Sequence, residues 1–369
     1  MKNIKYVPDY NNSILNISAS ILTYYGVKTK IPTLDVLDKV LQKDYKHVIL
    51  MVLDGMGINI IKENLLETAK LRQNIKSVLT SVFPPTTVAA TTSMVSGLPP
   101  ISSGHFGWTQ YNKIDDSITV VFTNSDYYNP EKVLTHQLQK ESLPYRDLVE
   151  QISEVDSKIH LELVFPSFKP NGHETFDSAL DRLLMITKGV KSFSYCYWTE
   201  PDSTIHEHGV TGLKTKQILN DLNISYERFL NEIDDDVLVI TTADHGLIDV
   251  KPIPIYDYPD FLDTLEKMPS MEPRATSFFV KKDQRDLFEK LFNQYFSEYF
   301  VLLTKEEILK SNLFGYGQAH PLVDDFIGDY VSIANKEYMF QFLKTTPFKA
   351  HHAGLTKEEL EVPFILNKD

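Results

Sequence analysis

Three short apolar runs constrain the fold of this chain more than any other feature. Residues 47–53, 192–198 and 237–243 are rich in Val, Ile or aromatic residues, and polar residues or glycine follow each run, as at the ends of buried strands. Amphipathic helix patterns lie between the runs, and the clearest of them covers residues 211–233. Strands that alternate with helices predict an α/β fold, in which a largely parallel central sheet is sandwiched by helices.

Side chains that commonly bind metals follow each of the three runs. Asp54 follows the first run, Asp202 and His206 follow the second, and Asp244 and His245 follow the third. Because open parallel sheets bind ligands beyond the carboxyl ends of their strands, we expect these side chains at one edge of the sheet. Asp and His suit Zn²⁺, and carboxylates with a hydroxyl also suit Mn²⁺ or Mg²⁺. Each fragment alone is more typical of a turn, but their common placement predicts a metal site.

A threonine-rich segment, SVFPPTTVAATTSMVSGLPP, supplies hydroxyl groups near the start of a predicted helix. Residues 88–96 predict this helix, whose N-terminus would favour a bound anion through its free backbone N–H groups. A threonine there, such as Thr86 or Thr87, is a poor nucleophile unless a cation lowers its pKa. The same threonines could instead only cap the helix, so the segment alone leaves both roles open.

The later part of the chain has a different pattern. Short strands are predicted at residues 277–280, 300–303 and 327–334, and a capping-box pattern beginning at Thr304 predicts a helix. The sequence therefore predicts a catalytic domain made of residues 1–254 and 346–369, with a small α+β cap inserted at residues 255–345. The cap separates Asp244-His245 from His352 in AHHAGL, so we expect it to fold over the site. A peripheral elaboration without substrate contact is the alternative.

Composition narrows the classes of partner. The formal net charge is −13, which disfavours a surface for large nucleic acids or for anionic membranes. A small anionic substrate is still compatible, because bound cations can reverse the sign of the local charge. Cys196 is the single cysteine, so no internal disulfide can form, and no apolar run approaches the roughly 18 residues of a membrane span. With no signal-peptide pattern at the N-terminus, these features predict a soluble cytoplasmic protein of undetermined oligomeric state.

The motifs together resemble a known group of enzymes. DGMG, FPPTTVAATTSMVSGLPP, EPDSTIHEHG, ADHG and HHAGL are similar, in the same order, to motifs of the alkaline phosphatase superfamily. The type I phosphodiesterase/nucleotide pyrophosphatase family is the branch that the chain most resembles, from about residue 45 to residue 365. The resemblance implies an alkaline-phosphatase-like fold and a site for two divalent metal ions, most often Zn²⁺, with Mn²⁺ as the alternative. Alignment on Val95-Ser96-Gly97 places the family's nucleophile at Thr87 rather than Thr86.

The resemblance also implies how the ligands divide. It assigns the first metal to Asp54, Thr87, Asp244 and His245, and the second to Asp202, His206 and His352. His352 is preferred to His351 because the family's late histidine directly precedes a small residue and a glycine, matched here by Ala353-Gly354.

The implied reaction is hydrolysis of a phosphodiester or phosphoanhydride bond through a phosphothreonine. A small phosphorylated molecule, such as a nucleotide, is the implied substrate. A phosphomonoesterase or phosphonate hydrolase on the same metal site is a first alternative. A second is a non-catalytic protein that binds a nucleotide with the help of metals.

One position departs from the family pattern. The family usually carries an asparagine three residues after the nucleophile, where it helps to bind the phosphoryl oxygens, and this chain has Ala90 there. His105 and Trp108, in SGHFGW, are candidates to bind the substrate instead, although either could be structural. Arg274, in MEPR, could contact an anion or could form a surface salt bridge.

Overall fold

The structure is a computed structural model, and it describes residues 4–368. In chain order the strands are β1 (His47–Leu53), β2 (Ile75–Thr80), β3 (Thr109–Asn112), β4 (Ser117–Val120), β5 (Ser125–Asp126), β6 (His160–Val164), β7 (Ser192–Trp198), β8 (Val237–Thr242), β9 (Ile248–Asp249), β10 (Lys251–Pro254), β11 (Leu265–Met271), β12 (Ala275–Val280), β13 (Phe300–Thr304), β14 (Tyr330–Ala334), β15 (Tyr338–Gln341), β16 (Ala350–His351) and β17 (Glu361–Leu366).

The α-helices, again in chain order, are α1 (Ile14–Tyr24), α2 (Asp35–Val40), α3 (Ile58–Asn64), α4 (Lys70–Gln73), α5 (Thr87–Ser96), α6 (Pro100–Ser103), α7 (Leu148–Val155), α8 (Phe176–Thr187), α9 (Asp202–His208), α10 (Leu213–Glu232), α11 (Pro259–Leu262), α12 (Arg285–Tyr295), α13 (Lys305–Lys310), α14 (Val323–Phe326) and α15 (Lys357–Leu360). Within residues 4–368, no helix is long and apolar enough to span a bilayer.

The central sheet has the strand order β2-β17-β8-β1-β7-β6. β1 is parallel to both β7 and β8, and β6 is parallel to β7, whereas β17 runs antiparallel to its two neighbours. The predicted strands 47–53 and 192–198 coincide with β1 and β7, and the predicted strand 237–243 extends one residue beyond β8. Because these three strands are parallel neighbours at the centre of the sheet, their carboxyl ends lie side by side.

Helices cover both faces of this sheet. Every residue of β1, β7 and β8 is buried, which requires cover on both sides because successive side chains of a strand point to opposite faces. The helices form two contacting groups, one of α1 with α2, α5 and α7, and one of α10 with α3, α4, α8 and α9. The structure therefore confirms the predicted α/β fold with a largely parallel, helix-sandwiched sheet.

A second, antiparallel sheet has the strand order β13-β14-β12-β11-β3-β4-β5. The predicted strands of the cap correspond to β12, β13 and β14, and the predicted helix α13 begins after Thr304, whose side chain accepts a hydrogen bond from the Glu307 amide. This sheet is not confined to the predicted cap segment. It continues into residues 109–126 through the pairing of Met271 with Thr109.

The second sheet buries its own aromatic core. Helix α12 packs Phe288 and Phe292 against Phe278 of β12. Phe261 and Phe340 close the same cluster. Burial of each such ring contributes about 1.5–3 kcal/mol, so this part of the molecule is a folded unit and not a loose insertion.

Candidate metal centre and active site

The turn after β1 brings two of the predicted ligands together. Asp54 is the first residue beyond β1, and its carbonyl oxygen accepts a hydrogen bond from the Asp202 amide at 3.0 Å. Gly55 follows with φ at +70°, a left-handed conformation that favours glycine. A Cβ at Gly55 would lie 2.9 Å from the Cβ of Asp202. Glycine is therefore needed here for the Asp54 and Asp202 loops to approach each other.

The loop after β8 carries the next pair of predicted ligands. The Asp244 Oδ1 atom accepts hydrogen bonds from the amides of Gly55 and His245, each at 3.0 Å. This fixes the carboxylate between the β1 and β8 loops. The Nε2 atom of His245 lies 3.3 Å from Asp54 Oδ1 and 3.5 Å from Asp244 Oδ2. Three of the predicted ligands thus meet at the carboxyl ends of two neighbouring strands.

Asp202 and His206 lie one helical turn apart on α9. The Nε2 atom of His206 is 3.3 Å from Asp202 Oδ2, and the Nε2 atom of His352 is 4.0 Å from Asp202 Oδ1. The His206 Nδ1 atom lies 2.8 Å from the Ala350 carbonyl oxygen. A carbonyl only accepts, so Nδ1 carries the proton and Nε2 keeps its lone pair for a ligand. The α9 turn therefore presents a carboxylate and an imidazole side by side.

These side chains form two overlapping groups with the spacing of metal ligands. Asp202, His206 and His352 make one group, and Asp54, Asp202 and His245 make the other, with ligand atoms within 4.8 Å of one another in each. The first group is the set that the resemblance assigns to one metal. In the second, Asp202 lies beside Asp54 and His245, so its carboxylate is positioned between the two predicted sites.

Unpaired oxygens indicate what the cluster can hold. Within residues 4–368, Asp54 Oδ1, Asp202 Oδ1 and Asp244 Oδ2 are buried without a hydrogen-bond partner. A buried carboxylate oxygen that lacks a partner costs free energy, because it has lost its hydration and gained nothing in return. Divalent cations would supply the missing interactions for all three oxygens. The donor set of carboxylates and imidazoles therefore fits two such ions.

The electrostatics of the cluster agree with this. Burial raises the pKa of Asp54 well above its ordinary value, and the neighbouring Asp244 and Asp202 carboxylates raise this pKa further. Burial lowers the pKa of His352 well below its ordinary value, and His245 adds to the effect. Neutral imidazole is the form that binds metals, so burial keeps His352 in the state that a ligand needs.

Thr87 lies at the edge of this cluster. It is the first residue of α5, and its Oγ1 atom is 3.3 Å from His245 Nε2. Thr86, the N-cap residue, instead donates its hydroxyl to Glu272 Oε1 at 2.6 Å. The structure therefore separates the two adjacent threonines, and it places the hydroxyl of Thr87, not that of Thr86, beside the predicted ligands.

A cavity of about 410 Å³ opens from the cluster. Its walls are largely apolar, and they are formed by Thr86, Thr87, Trp108, Thr109, Tyr127, Asp202, His206, Met271, Glu272, Pro273, Met339, Phe340, Gln341, Phe342, Leu343, Thr345, Thr346, Pro347, Phe348, His351 and His352. Residues 271–273 and 339–343 belong to the predicted cap segment, so that segment does reach the site. Trp108 also lines the cavity, where the sequence placed a substrate-binding candidate.

The other two substrate-binding candidates lie elsewhere. His105 is fully buried, its ring packs edge-on against Tyr145, and it does not line the cavity. Arg274 is fully buried in an ion pair with Glu359, at 2.7 Å and 2.8 Å, and it does not line the cavity either. The structure thus supports neither as a substrate contact, and the salt bridge of Arg274 is internal and not on the surface.

Ala90, the position that departs from the family pattern, also lies away from the cavity. Ala90, a residue of α5, is fully buried in the main hydrophobic core and does not line the cavity. Because position 90 does not face the cavity, the alanine there does not remove a side-chain amide from the cavity wall. Phosphate binding depends on the residues that do face the cavity.

Arg274 and Glu359 position the loop that carries His352. Besides the two bonds from Arg274, Glu359 accepts a hydrogen bond from the Gly354 amide at 2.7 Å. The Glu359 carbonyl oxygen accepts another from the Gly246 amide, beside Asp244-His245. One buried ion pair thus ties the second sheet, the His352 loop and the β8 loop together.

We expect Arg274→Met to lower the free energy of unfolding by about 3–5 kcal/mol, because it leaves the Glu359 carboxylate buried without its partner charge. Urea unfolding at equilibrium measures this change. The double variant Arg274→Met/Glu359→Gln removes the unpaired charge but keeps an acceptor for Gly354, so it should recover part of the loss. Equal or greater destabilisation of the double variant would contradict the ion-pair explanation.

Two residues at the site have no clear signal in the sequence. Tyr197, inside β7, donates its hydroxyl to Asp54 Oδ2 and so orients that carboxylate. Glu272 lines the cavity between Thr86 and Trp108, and burial raises its pKa to about 7 against the lowering effect of its hydrogen bonds. Both roles depend on contacts between distant segments, so local patterns do not reveal them.

Clustered carboxylates and imidazoles with a hydroxyl and a cavity beside them are groups that a metal-dependent phosphoester hydrolase can use. The model of the type I phosphodiesterase / nucleotide pyrophosphatase family matches residues 48–353, and the chain belongs to that family.

Solved structures share this fold. Murine ectonucleotide pyrophosphatase / phosphodiesterase 5 aligns with a TM-score of 0.64 at 14% identity, over 86% of this chain and 87% of that chain. An inactive threonine-to-alanine variant of the murine protein, in complex with AMP, gives a TM-score of 0.65 at 14% identity, with 88% of each chain covered. The human counterpart gives 0.63 at 12% identity, over 86% and 87%. A search of curated protein sequences finds no match.

Proposed function

We propose that this protein hydrolyses the phosphodiester or phosphoanhydride bond of a small substrate, with Thr87 as the nucleophile. The position of the Thr87 Oγ1 atom carries the proposal, because this hydroxyl lies both 3.3 Å from His245 Nε2 and on the wall of the cavity. In the first step the hydroxyl oxygen attacks phosphorus, the bond to the leaving oxygen breaks and a phosphothreonine forms. Water then attacks the same phosphorus, which releases the phosphorylated product and restores Thr87.

We further propose that two divalent cations, Zn²⁺ in the first place and Mn²⁺ as the alternative, bind in the cluster. Asp54, Thr87, Asp244 and His245 would hold one, and Asp202, His206 and His352 the other. Bound there, cations of this kind lower the pKa of a hydroxyl and neutralise charge on phosphoryl oxygens. The three unpaired carboxylate oxygens and the neutral form of His352 support the assignment.

The protein's own groups have separate tasks. The N-terminus of α5, a helix of ten residues, directs free backbone N–H groups towards an anion bound beside Thr87. The hydrogen bond from the Gly55 amide to Asp244 connects the β1 and β8 loops, and the Tyr197 hydroxyl orients Asp54. The largely apolar walls lower the local dielectric constant, which strengthens each charge interaction inside the cavity.

The cavity favours a diester over a monoester. A phosphomonoester places only one organic group beside the phosphate, whereas a diester places a second group in the space around it. The apolar cavity of about 410 Å³ adjoins the ligand cluster and offers room for that second group. A solved relative carries AMP, which supports a nucleotide as one class of substrate to test.

We expect kcat/KM for bis(p-nitrophenyl) phosphate to exceed that for p-nitrophenyl phosphate by about 100-fold or more, because the second aryl group gains binding energy in the cavity. Release of p-nitrophenolate measures both reactions with the same chromophore. A monoester hydrolysed as fast as the diester would instead favour a phosphomonoesterase. Metal-loaded protein that hydrolyses neither substrate would favour the non-catalytic alternative.

A further inference from the structure

The cavity beside Thr87 carries an acidic side chain outside the ligand cluster. Glu272 is nearly fully buried, yet it lines the cavity. Among residues 4–368, no lysine or arginine contributes to the same walls. A site that binds a second phosphate or a carboxylate normally presents such cations, since an unpaired anion in an apolar environment is costly. An acidic wall without basic residues is therefore unexpected in a site for a polyanionic substrate.

Glu272 is held rigidly in this position. Its Oε1 atom accepts hydrogen bonds from the Thr86 hydroxyl at 2.6 Å and from the Trp108 amide at 2.7 Å. Its own amide donates to the Ala275 carbonyl, and its carbonyl oxygen accepts from the Thr276 hydroxyl at 2.7 Å. These contacts fix the turn between β11 and β12. Within residues 4–368, the hydrogen bonds to this carboxylate end on Oε1, which leaves Oε2 for a group inside the cavity.

The charges of the whole site leave Glu272 unbalanced. Three ligand carboxylates, those of Asp54, Asp202 and Asp244, and the single charge of a diester phosphate together balance two divalent cations. When it is ionised, Glu272 adds one further negative charge on the wall. Aromatic residues, Trp108 among them, line the same cavity, and aromatic rings attract cations. Both features favour a substrate group with a hydrogen-bond donor and without negative charge.

We propose that Glu272 is a specificity-determining residue, which accepts a hydrogen bond from an uncharged or cationic N–H or O–H group of the substrate and disfavours a second anionic group. This inference rests on the proposed phosphodiesterase function and names the class of its substrate: a phosphodiester whose second group is a neutral or cationic donor. Polyphosphates are disfavoured by the same carboxylate. Direct contact through Oε2 distinguishes this role from a purely structural one, in which Oε1 alone would matter.

The test is the variant Glu272→Gln with three matched p-nitrophenyl phosphodiesters. Their second ester groups are benzyl, 4-(aminomethyl)benzyl and 4-carboxybenzyl, which differ in charge but share one ring. Glutamine keeps an Oε1 acceptor for Thr86 and Trp108 and removes the negative charge. Assays at about pH 8.5 keep Glu272 ionised, because this lies above the pKa of about 7 that burial gives it.

In the unmodified protein we expect kcat/KM for the aminomethyl ester to exceed that for the carboxy ester by about 100-fold. In Glu272→Gln this ratio should fall to about 10-fold or less. Any loss of activity common to the three esters cancels in the ratio, and glutamine keeps the acceptor that holds the Thr86 hydroxyl and the Trp108 amide in place. The control Glu289→Gln changes the net charge equally at an exposed position outside the cavity and should leave the ratio unchanged.

Binding gives a second readout that does not need turnover. Calorimetric titration of the same esters into Thr87→Ala, with and without Glu272→Gln, should show the same change in preference as a change in Kd. An unchanged ratio in both measurements would overturn the specificity role and leave Glu272 a structural acceptor. If no ester is hydrolysed by the unmodified protein, the proposed reaction fails, and the binding preference still decides the role of Glu272.

Discussion

Replacing Thr87 with alanine is expected to lower kcat for a p-nitrophenyl phosphodiester by at least about 1,000-fold, because the covalent route loses its nucleophile. The Oγ1 atom of Thr87 is the hydroxyl that the structure places against the ligand cluster, 3.3 Å from His245 Nε2. Two independent measurements check the result: steady-state release of p-nitrophenolate, and metal content by elemental analysis of the purified variant. Bound metal should be retained, since six of the seven predicted ligands are unchanged.

Two further threonines provide matched controls. Thr91 lies one turn later on α5, bonds to the Thr87 carbonyl oxygen at 2.6 Å and does not line the cavity. Thr91→Ala should therefore change kcat by no more than about three-fold, as expected for a half-exposed helical position. Thr86→Ala removes a hydrogen bond to Glu272 but no nucleophile. A protein inactivated by Thr86→Ala and fully active as Thr87→Ala would show that the assignment of the two threonines is reversed.

The sequence predicted the parts of the fold whose signals are local. Strands β1, β7 and β8 are buried on both faces, so they occur as continuous apolar runs with polar residues beyond them. Helix α10 shows its buried face as a 3.6-residue repeat. The common placement of Asp54 and Asp244 could be predicted because the carboxyl ends of neighbouring parallel strands share one edge of the sheet.

The set of strands that forms the second sheet could not be predicted in the same way. Strand β3 reads Thr-Gln-Tyr-Asn, four residues with little apolar periodicity, and it joins the sheet by pairing with β11, about 160 residues later. Pairing at such a separation depends on tertiary packing and leaves no local pattern. Residues 109–126, which share this sheet, therefore lie outside the segment 255–345 that the sequence predicted as the cap.

Side chains that act through distant partners were missed or misplaced for the same reason. Arg274 reaches Glu359, 85 residues later, and the sequence offers no indication that the pair is buried. Tyr197 and Glu272 look like ordinary members of a strand and a turn until the β1 loop and α5 are placed beside them. Residue type and spacing predict which groups could bind a metal, whereas packing decides which groups face the cavity.

Removal of divalent metals is expected to abolish hydrolysis of the diester and to lower the Tm. Chelation leaves Asp54 Oδ1, Asp202 Oδ1 and Asp244 Oδ2 as buried oxygens without partners. At a free-metal concentration 100 times the Kd, binding of each ion stabilises the folded state by about 2.7 kcal/mol, and chelation removes that contribution. Activity and Tm are measured on the same samples, before chelation, after it and after addition of Zn²⁺ or Mn²⁺. Full activity in protein shown to be metal-free would refute the dimetal mechanism.

A comparison of His351 and His352 tests a single predicted metal ligand. His352 belongs to the group formed with Asp202 and His206, whereas His351 uses its Nδ1 atom to accept the His352 amide at 2.9 Å. His352→Ala should therefore reduce bound metal from two ions per chain towards one and remove most of the activity, since the second site keeps only two protein ligands. His351→Ala, the matched control, keeps every predicted ligand and should still bind two ions. If the His351 variant loses an ion and the His352 variant keeps both, the late metal ligand is His351 and the assignment of His352 is wrong.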